Sequence, residues 1–212
     1  MPVPENYFDE RIAKRYDAKW ANTFDPAVVE PCVDFLARLA GNGDALELGV
    51  GTGRIALPLS QRGIQVHGIE LSPEMVAEMK AKPGADSVSV TIGDFATKTV
   101  EGRFSLAYLV RNTIANLTSQ DAQVACFQNV ASHLEPGGCF VIELYIPELR
   151  RIPPGETIHP FDMTATHFGF EEYDFATQLA YSHHYWVEAG RLETFSAPFR
   201  YVWPAELDLL AH

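Results

Sequence analysis

Three alternate glycines within residues 45–54 constrain this chain more than any other feature of its sequence. A short apolar segment runs directly into Gly49, Gly51 and Gly53 and then into a helix-like stretch. Glycines at such a turn permit positive φ angles and let a ligand approach the bare main chain. The segment therefore predicts a strand, a tight turn and a helix that together bind a nucleotide-like cofactor.

The residues around the glycines favour a cationic ligand over a dinucleotide. The spacing is G-x-G-x-G, and Arg54 stands where the dinucleotide fingerprint G-x-G-x-x-G has its last glycine. Glu47 lies two positions before Gly49. A carboxylate there repels a pyrophosphate but suits a positively charged ligand. A nicotinamide-dependent oxidoreductase is thus the disfavoured alternative.

Length and charge limit the classes of protein that fit. With 212 residues and 47% apolar content, the chain can bury one sizeable core with an elaboration. Its formal net charge of -12 opposes a partner held mainly by phosphate contacts. We therefore expect a small-molecule substrate and no nucleic acid.

Cysteine usage and hydropathy indicate the compartment. Cys32, Cys126 and Cys139 are odd in number and lack C-x-x-C spacing, so neither a disulfide framework nor a metal site is indicated. No run approaches the roughly 18 apolar residues of a membrane span, and residues 1–15 carry charges where a signal peptide is apolar. We expect a cytoplasmic protein that does not bind membranes.

The middle of the chain alternates predicted strands and helices, which favours a parallel sheet with helices on both faces. This is a doubly wound, Rossmann-like α/β fold, in which ligands bind at the carboxyl ends of the strands. The predicted strands are residues 45–49, 65–70, 87–92, 104–110 and 139–145, and the predicted helices are residues 52–61, 73–82 and 119–134.

Different patterns flank this core. Residues 7–41 predict two helices divided near Asp25, the second of which would pack on the core through apolar residues at helical spacing, namely Val29, Val33, Leu36 and Leu39. A proline-rich loop is predicted over residues 150–160. Residues 166–202 then predict an antiparallel sheet with a hairpin turn at residues 188–190. We expect two domains, residues 1–146 for the cofactor and residues 147–212 as a lid on the substrate side.

Four motifs in order resemble the class I S-adenosylmethionine-dependent methyltransferases: ELGVGTGR, GIELS, IGDF and LEPGG. The chain looks most like small-molecule enzymes related to the amino-sugar N-methyltransferases. This resemblance implies methyl transfer from S-adenosylmethionine to a small-molecule acceptor by in-line displacement, with S-adenosylhomocysteine as the product.

The resemblance also implies which residues bind the cofactor. Glu70 would accept the ribose hydroxyls, Asp94 would receive the adenine amino group beside Phe95, and Tyr16 would close over the site. Met75 has core packing as an equal alternative. The full expected set is Tyr16, Glu47, Gly49, Gly51, Gly53, Arg54, Glu70, Leu71, Met75, Asp94, Phe95 and Val110.

The catalytic residues are less well defined by the sequence. Arg111, after the fourth strand, either orients the acceptor or bonds a helix end, and Asn116 stands where the amino-sugar relatives have a histidine. An amide can orient an acceptor but cannot remove its proton. His183 and His184 are therefore candidate bases, and on a strand they would point to opposite faces. They are favoured over the other candidate bases because aromatic residues surround them in the sequence. The other candidates are His159, His167, Glu171 and Glu172.

The end of the sequence raises a further expectation. The fold usually has seven strands, but residues 204–210 begin a helix and the sequence ends at His212, so the final strand pair is expected to be missing. An uncovered fifth strand invites pairing, and the lid or a second subunit of a homodimer would shield it. Two alternatives stay open: a methyltransferase acting on RNA or protein, and a truncated relative that binds the cofactor without activity.

Overall fold

The computed structural model describes residues 6–212, which form two compact units. The first unit comprises residues 6–110 together with Ala125–Glu143. The second comprises Arg111–Val124 and Leu144–His212. The division between residues 146 and 147 that the sequence suggested stays a prediction.

The first unit contains a five-stranded parallel sheet with the order β3-β2-β1-β4-β5. Its central strand β1 is buried along its whole length, and Ala45 lies between Val66 of β2 and Leu106 of β4. This arrangement confirms the predicted Rossmann-like fold. The strands are β1 Ala45–Leu48, β2 Val66–Glu70, β3 Val88–Ile92, β4 Phe104–Leu109 and β5 Leu134–Ile142.

Six helices precede or alternate with these strands: α1 Glu10–Ala13, α2 Tyr16–Lys19, α3 Pro26–Ala40, α4 Ala56–Gln61, α5 Pro73–Lys80 and α6 Gln120–His133. Helix α3 begins where the sequence indicates, because the Asp25 side chain accepts the backbone N–H of Ala27 at 2.8 Å. Three of its four predicted core residues are buried. Leu39 is instead 39% exposed, and Ala40 takes its place in the core.

Two helix predictions are wrong in detail. The helix after the glycines begins at Ala56 and not at residue 52, because Gly53 has a φ of +81° that no right-handed helix accommodates. The single helix predicted before Asp25 is divided into α1, α2 and a 3-10 turn, Ala21–Phe24. This segment also contacts the glycine loop, through Asp17 and Thr23.

Strand β5 begins earlier and ends earlier than predicted. Leu134 pairs with Phe104 and Cys139 pairs with Leu106, so the residues between them form an irregularity in the ladder. Within the described residues, β5 has one neighbour in its sheet, β4. Coverage of this edge by a second subunit stays a prediction.

The second unit contains a four-stranded antiparallel sheet with the order β6-β7-β8-β9, which confirms the predicted elaboration. The β8–β9 turn is at Ala189 and Gly190, both with positive φ, where the hairpin was expected. The predicted loop over residues 150–160 is wrong at its end, since β6 begins at Ile158. Pro160 is tolerated because β6 is an edge strand. The strands are β6 Ile158–Met163, β7 His167–Asp174, β8 Leu179–Glu188 and β9 Arg191–Arg200.

The buried guanidinium of Arg200 fixes the end of this sheet. It donates to Gln123 at 2.6 Å, to Gln178 at 3.1 Å and to Glu206 of helix α7, Pro204–Leu210, at 2.7 Å. A buried charge needs such partners. Among residues 6–212, no helix is both long enough and apolar enough to cross a bilayer.

Candidate functional site

The loop that joins β1 to α4 has the backbone that its glycines predict. Gly49, Gly51 and Gly53 have φ angles of +75°, +53° and +81°, a region that side chains with a Cβ rarely adopt. Gly49 and Gly51 are half-buried, whereas Gly53 is buried. The first two glycines therefore keep main-chain surface accessible at the end of β1.

Gly53 is required by packing. A Cβ built at Gly53 would lie 2.6 Å from Cγ of Met79 and 2.9 Å from Cγ of Leu57, distances that real side chains do not reach. A Cβ at Gly51 would meet only Cε of Met75, at 3.5 Å. Packing thus explains why residue 53 is a glycine. Its contact with the cofactor stays a prediction. Met75 is buried against the loop.

A fourth glycine has a packing role that was not predicted from the sequence. Gly68 lies in β2, and a Cβ there would come within 2.7 Å of the Val50 side chain. The absence of that Cβ lets Val50, between the first two loop glycines, enter the core. A glycine in the interior of a predicted strand is the signal that could have identified it.

Glu70 ties the glycine loop to the end of β2. Its carboxylate accepts the backbone N–H of Gly51 at 2.8 Å through one oxygen and that of Ser72 at 2.9 Å through the other. Glu70 is buried, and this burial raises its pKa, while the bonds from Ser72 and Gly51 oppose the rise. The predicted ribose ligand therefore also holds the loop in place. Leu71, the next residue, is half-buried.

Glu47 lies in the middle of β1 and does not bond the glycines. Its carboxylate accepts the hydroxyl of Tyr108 at 2.9 Å and a backbone hydrogen bond from Ala56, at the start of α4. Burial raises the pKa of Glu47 to about 8, against the opposing effects of Tyr108 and of the Arg54 charge. Glu47 thus joins β1, β4 and α4.

Asp94 and Phe95 follow β3, as the resemblance requires. The Asp94 side chain accepts the backbone N–H of Ala96 at 2.9 Å, which forms a compact turn. Asn129 of α6 donates to the carbonyl of Phe95 at 3.0 Å. Phe95 is buried, and so is Val110 at the end of β4. The turn is well fixed, and the predicted adenine contacts remain predictions.

The N-terminal helices are fastened to the glycine loop by residues that sequence reasoning missed. Asp17 of α2 accepts the hydroxyl of Thr52 at 2.6 Å and forms an ion pair with Lys82. Lys82 also donates to the carbonyl of Thr52 at 2.7 Å. No local pattern announces these contacts, because they join three separate parts of the chain.

Tyr16 and Arg54 belong to the same arrangement. Arg54 donates to the carbonyl of Thr23 at 3.3 Å. Tyr16 packs its ring against Trp20, with centroids 4.6 Å apart, and against Phe8 at 6.0 Å. The expected cofactor residues are therefore all in the first unit, around the carboxyl ends of β1, β2, β3 and β4.

The four candidate catalytic residues all lie in the second unit. Arg111 has a φ of +57° and Asn112 a φ of +59°, an uncommon conformation for residues with side chains. The Asn112 side chain accepts the backbone N–H of Tyr145 at 3.0 Å. Asn116 ends the 3-10 turn Thr113–Asn116 and is exposed. Arg111 and Asn116 therefore share one loop.

His183 and His184 have different surroundings on β8. His183 bonds Ser196 at 2.8 Å and stacks on Phe170 with centroids 4.8 Å apart. His184 bonds His167 and Ser182 and stacks on Trp186 at 4.9 Å. These separate partners are those expected for neighbours that point to opposite faces of a strand. Among the described residues, no group of three or more His, Cys, Asp or Glu side chains is arranged to hold a metal ion.

Comparisons with known proteins agree with this geometry. Residues 45–138 match the model of a family described as a methyltransferase domain. The CcbJ methyltransferase from Streptomyces caelestis is 35% identical, with a TM-score of 0.83 over 94% of this chain and 83% of that chain. CalS10, an amino pentose methyltransferase from Micromonospora echinaspora solved with S-adenosylmethionine bound, is 20% identical with a TM-score of 0.70 over 97% and 88% of the two chains, and this likeness shows the fold alone.

A curated relative that is also a methyltransferase matches a shorter part of the chain. The cypemycin N-terminal methyltransferase from a Streptomyces species is 28% identical over 102 residues, which are 48% of this chain and 42% of that protein. The chain thus spans less than half the length of this curated relative. The glycine turn, the acidic residue at the end of β2 and the extended match to CcbJ place the chain in the S-adenosylmethionine-dependent methyltransferase family.

Proposed function

We propose that this protein transfers a methyl group from S-adenosylmethionine to a small-molecule acceptor by in-line displacement. The observation that carries the proposal is the buried Glu70 carboxylate at the end of β2, bonded to the N–H of Gly51 in the glycine turn. When bound, S-adenosylmethionine supplies a methyl group on a positively charged sulfur.

The residues of the first unit fit this cofactor. Each carboxylate oxygen has two lone pairs, so Glu70 can accept hydroxyl hydrogens in addition to the N–H groups of Gly51 and Ser72. Asp94 bonds Ala96 through one of its oxygens and has similar capacity. Gly49 and Gly51 would let the main chain pass close to the ligand.

The residues proposed to bind the acceptor belong to the second unit. Arg111 and Asn116, on the loop after β4, would orient the acceptor. Alignment of the acceptor with the donor, together with exclusion of water, can supply up to about 7 to 11 kcal/mol of the barrier reduction in well-oriented reactions. The names of CalS10 and the cypemycin enzyme point to amine acceptors. The net charge of -12 also favours a cationic or neutral acceptor.

A screen for S-adenosylhomocysteine formation tests the function. The purified chain is incubated with S-adenosylmethionine and a panel of amines, amino sugars, alcohols and phenols. We expect product with at least one small molecule and none with the Gly51→Val variant, whose side chain would occupy the space beside Met75. Product with tRNA or a protein substrate alone would establish the macromolecular alternative. Cofactor binding without product on any acceptor would contradict the enzyme assignment.

A further inference from the structure

A line of four hydrogen-bonded side chains crosses one face of the antiparallel sheet. Asp162 of β6 bonds Nδ1 of His167 at 2.6 Å, Nε2 of His167 bonds Nδ1 of His184 at 3.0 Å, and Nε2 of His184 bonds Ser182 at 3.1 Å. All three distances are within normal hydrogen-bond range. The two imidazole rings are parallel to within 1°. We call these four residues the Asp–His–His–Ser chain.

When both histidines are neutral, only one assignment of hydrogen-bond donors and acceptors is possible along the Asp–His–His–Ser chain. A carboxylate only accepts, so His167 must donate from Nδ1 to Asp162. Its Nε2 is then an acceptor for the Nδ1–H of His184, and the Nε2 of His184 accepts the Ser182 hydroxyl. Both histidines are thereby held as the Nδ1–H tautomer, with a basic nitrogen directed toward Ser182.

The backbone is irregular where it positions this chain. The pairing of β6 with β7 shifts register between Pro160 and Asp162, which places Asp162 opposite Gly169. Such bulges redirect side chains and are frequent beside active sites. A Cβ at Gly169 would lie 2.3 Å from the Phe161 ring, so the glycine makes room for that ring. Phe161 in turn packs on His184, with centroids 5.2 Å apart.

The chain is partly accessible and lies among aromatic rings. The His167 side chain is 18% exposed and that of Asp162 is 38% exposed. Trp186 and Phe195 lie beside His184, with ring centroids at 4.9 and 6.0 Å. Aromatic side chains with a few polar groups among them are typical of the lining of small-molecule sites.

We propose that the Asp–His–His–Ser chain is a proton relay that accepts a proton from an amine acceptor bound in its ammonium form. An ammonium has no lone pair to attack a methyl group, so it must lose a proton first. Its proton passes to the Ser182 oxygen as the hydroxyl proton passes to Nε2 of His184. The Nδ1 proton of His184 then moves to His167, and the resulting imidazolium lies beside the Asp162 carboxylate.

In this relay, Ser182 contacts the acceptor and His184 is the base. His167 is the final proton acceptor of the relay. Asp162 is a positioning residue that fixes the tautomer of His167 and stabilises its positive charge. The inference rests on the proposed function, since it needs an acceptor to deprotonate. Other titratable or charged groups also belong to this face by strand register: His159 of β6, Glu171 and Tyr173 of β7, Glu188 of β8, and Arg191 and Glu193 of β9.

The experiment compares His184→Gln and Asp162→Asn with Ser196→Ala. Ser196 is the matched control because it also bonds a β8 histidine, His183. Nitrogen-15 NMR of the wild-type histidines first reports the tautomers without turnover, and we expect Nδ1–H for both His167 and His184. The kcat for S-adenosylhomocysteine formation from an amine found in the screen is then measured against pH.

We expect His184→Gln to lower kcat by about 10²- to 10⁴-fold, the usual range for a general base. Asp162→Asn should lower kcat by about 10-fold or more and change the His167 tautomer seen by nitrogen-15 NMR, because Nδ1 of His167 loses its carboxylate acceptor. Ser196→Ala should behave as the wild type, and all three variants should bind S-adenosylmethionine normally.

Two different results would overturn the relay. One is an Nε2–H tautomer at His184, and the other is a His184→Gln variant with wild-type kcat and pH profile. If the wild type binds the cofactor but forms no product with any acceptor, the proposed function fails and the base role fails with it. Product from alcohols or phenols but from no amine would contradict the relay's substrate class and leave the proposed function standing.

Discussion

Glu70 and Glu47 are two buried acidic residues near the glycine turn, and their different hydrogen-bond partners give them different roles. Glu70 accepts two backbone N–H groups, an arrangement that stabilises the ionised form and leaves lone pairs for a ligand. Glu47 has Tyr108 and Ala56 as partners and a pKa of about 8. At the scale of single residues, Glu70 is therefore suited to bind the cofactor, and Glu47 to join the elements beneath it.

Replacement of Glu70 should separate its two roles. We expect Glu70→Ala to weaken S-adenosylmethionine binding by about 1.5 to 3 kcal/mol or more, because charge-assisted hydrogen bonds are lost and the Gly51 N–H is left without its acceptor. Glu70→Gln should weaken binding less, since the amide oxygen can still accept one N–H. Calorimetry measures both.

The matched control for Glu70 is Glu78→Gln, which removes a half-buried carboxylate from α5. It should bind the cofactor as the wild type does. Wild-type affinity in Glu70→Ala would mean that the ribose is held elsewhere, and that outcome would contradict the assignment.

At the scale of helices, strands and turns, the sequence correctly predicted the features that depend on local residue patterns. The five parallel strands, the start of α3 and the β8–β9 hairpin follow from periodicity, capping and turn residues. The glycine turn was predicted because positive φ angles leave a visible residue signature. The predicted cofactor residues lie around the carboxyl ends of β1, β2, β3 and β4, and their contacts with the cofactor stay predictions.

Contacts between distant segments could not be predicted in this way. Asp17, Thr52 and Lys82 meet because three parts of the chain converge. His167 reaches His184 only through the register of β7 with β8, which pairs Gly169 with His184. A register shift of one residue would send every side chain of a strand to the opposite face, so the contact depends on the exact pairing of β7 with β8.

For the whole molecule, the pKa of Glu47 links folding to pH. Its folded pKa of about 8 exceeds the ordinary value of 4.5. Below pH 4.5 the carboxyl is protonated in both states, and its contribution is fully present. That contribution falls as pH rises and is lost above about 8, where the buried carboxylate is ionised, with a slope of at most about 1.4 kcal/mol per pH unit.

Urea unfolding of the wild type and of Glu47→Gln across pH 4.5 to 8.5 measures this linkage. The amide does not titrate, so the free energy of unfolding of the wild type should fall relative to that of the variant as pH rises. Taking the difference removes the contributions of the other carboxylates. A difference that stays constant over this range would show that Glu47 is ionised throughout.

The central claim is that the turn at Gly49, Gly51 and Gly53 binds S-adenosylmethionine. Isothermal titration calorimetry of the wild type with S-adenosylmethionine and S-adenosylhomocysteine tests it most directly, with Gly51→Val and Asn116→Ala alongside. We expect both ligands to bind the wild type and Asn116→Ala, and neither to bind a folded Gly51→Val. Failure of the wild type to bind either ligand, or equal binding by Gly51→Val, would contradict the account.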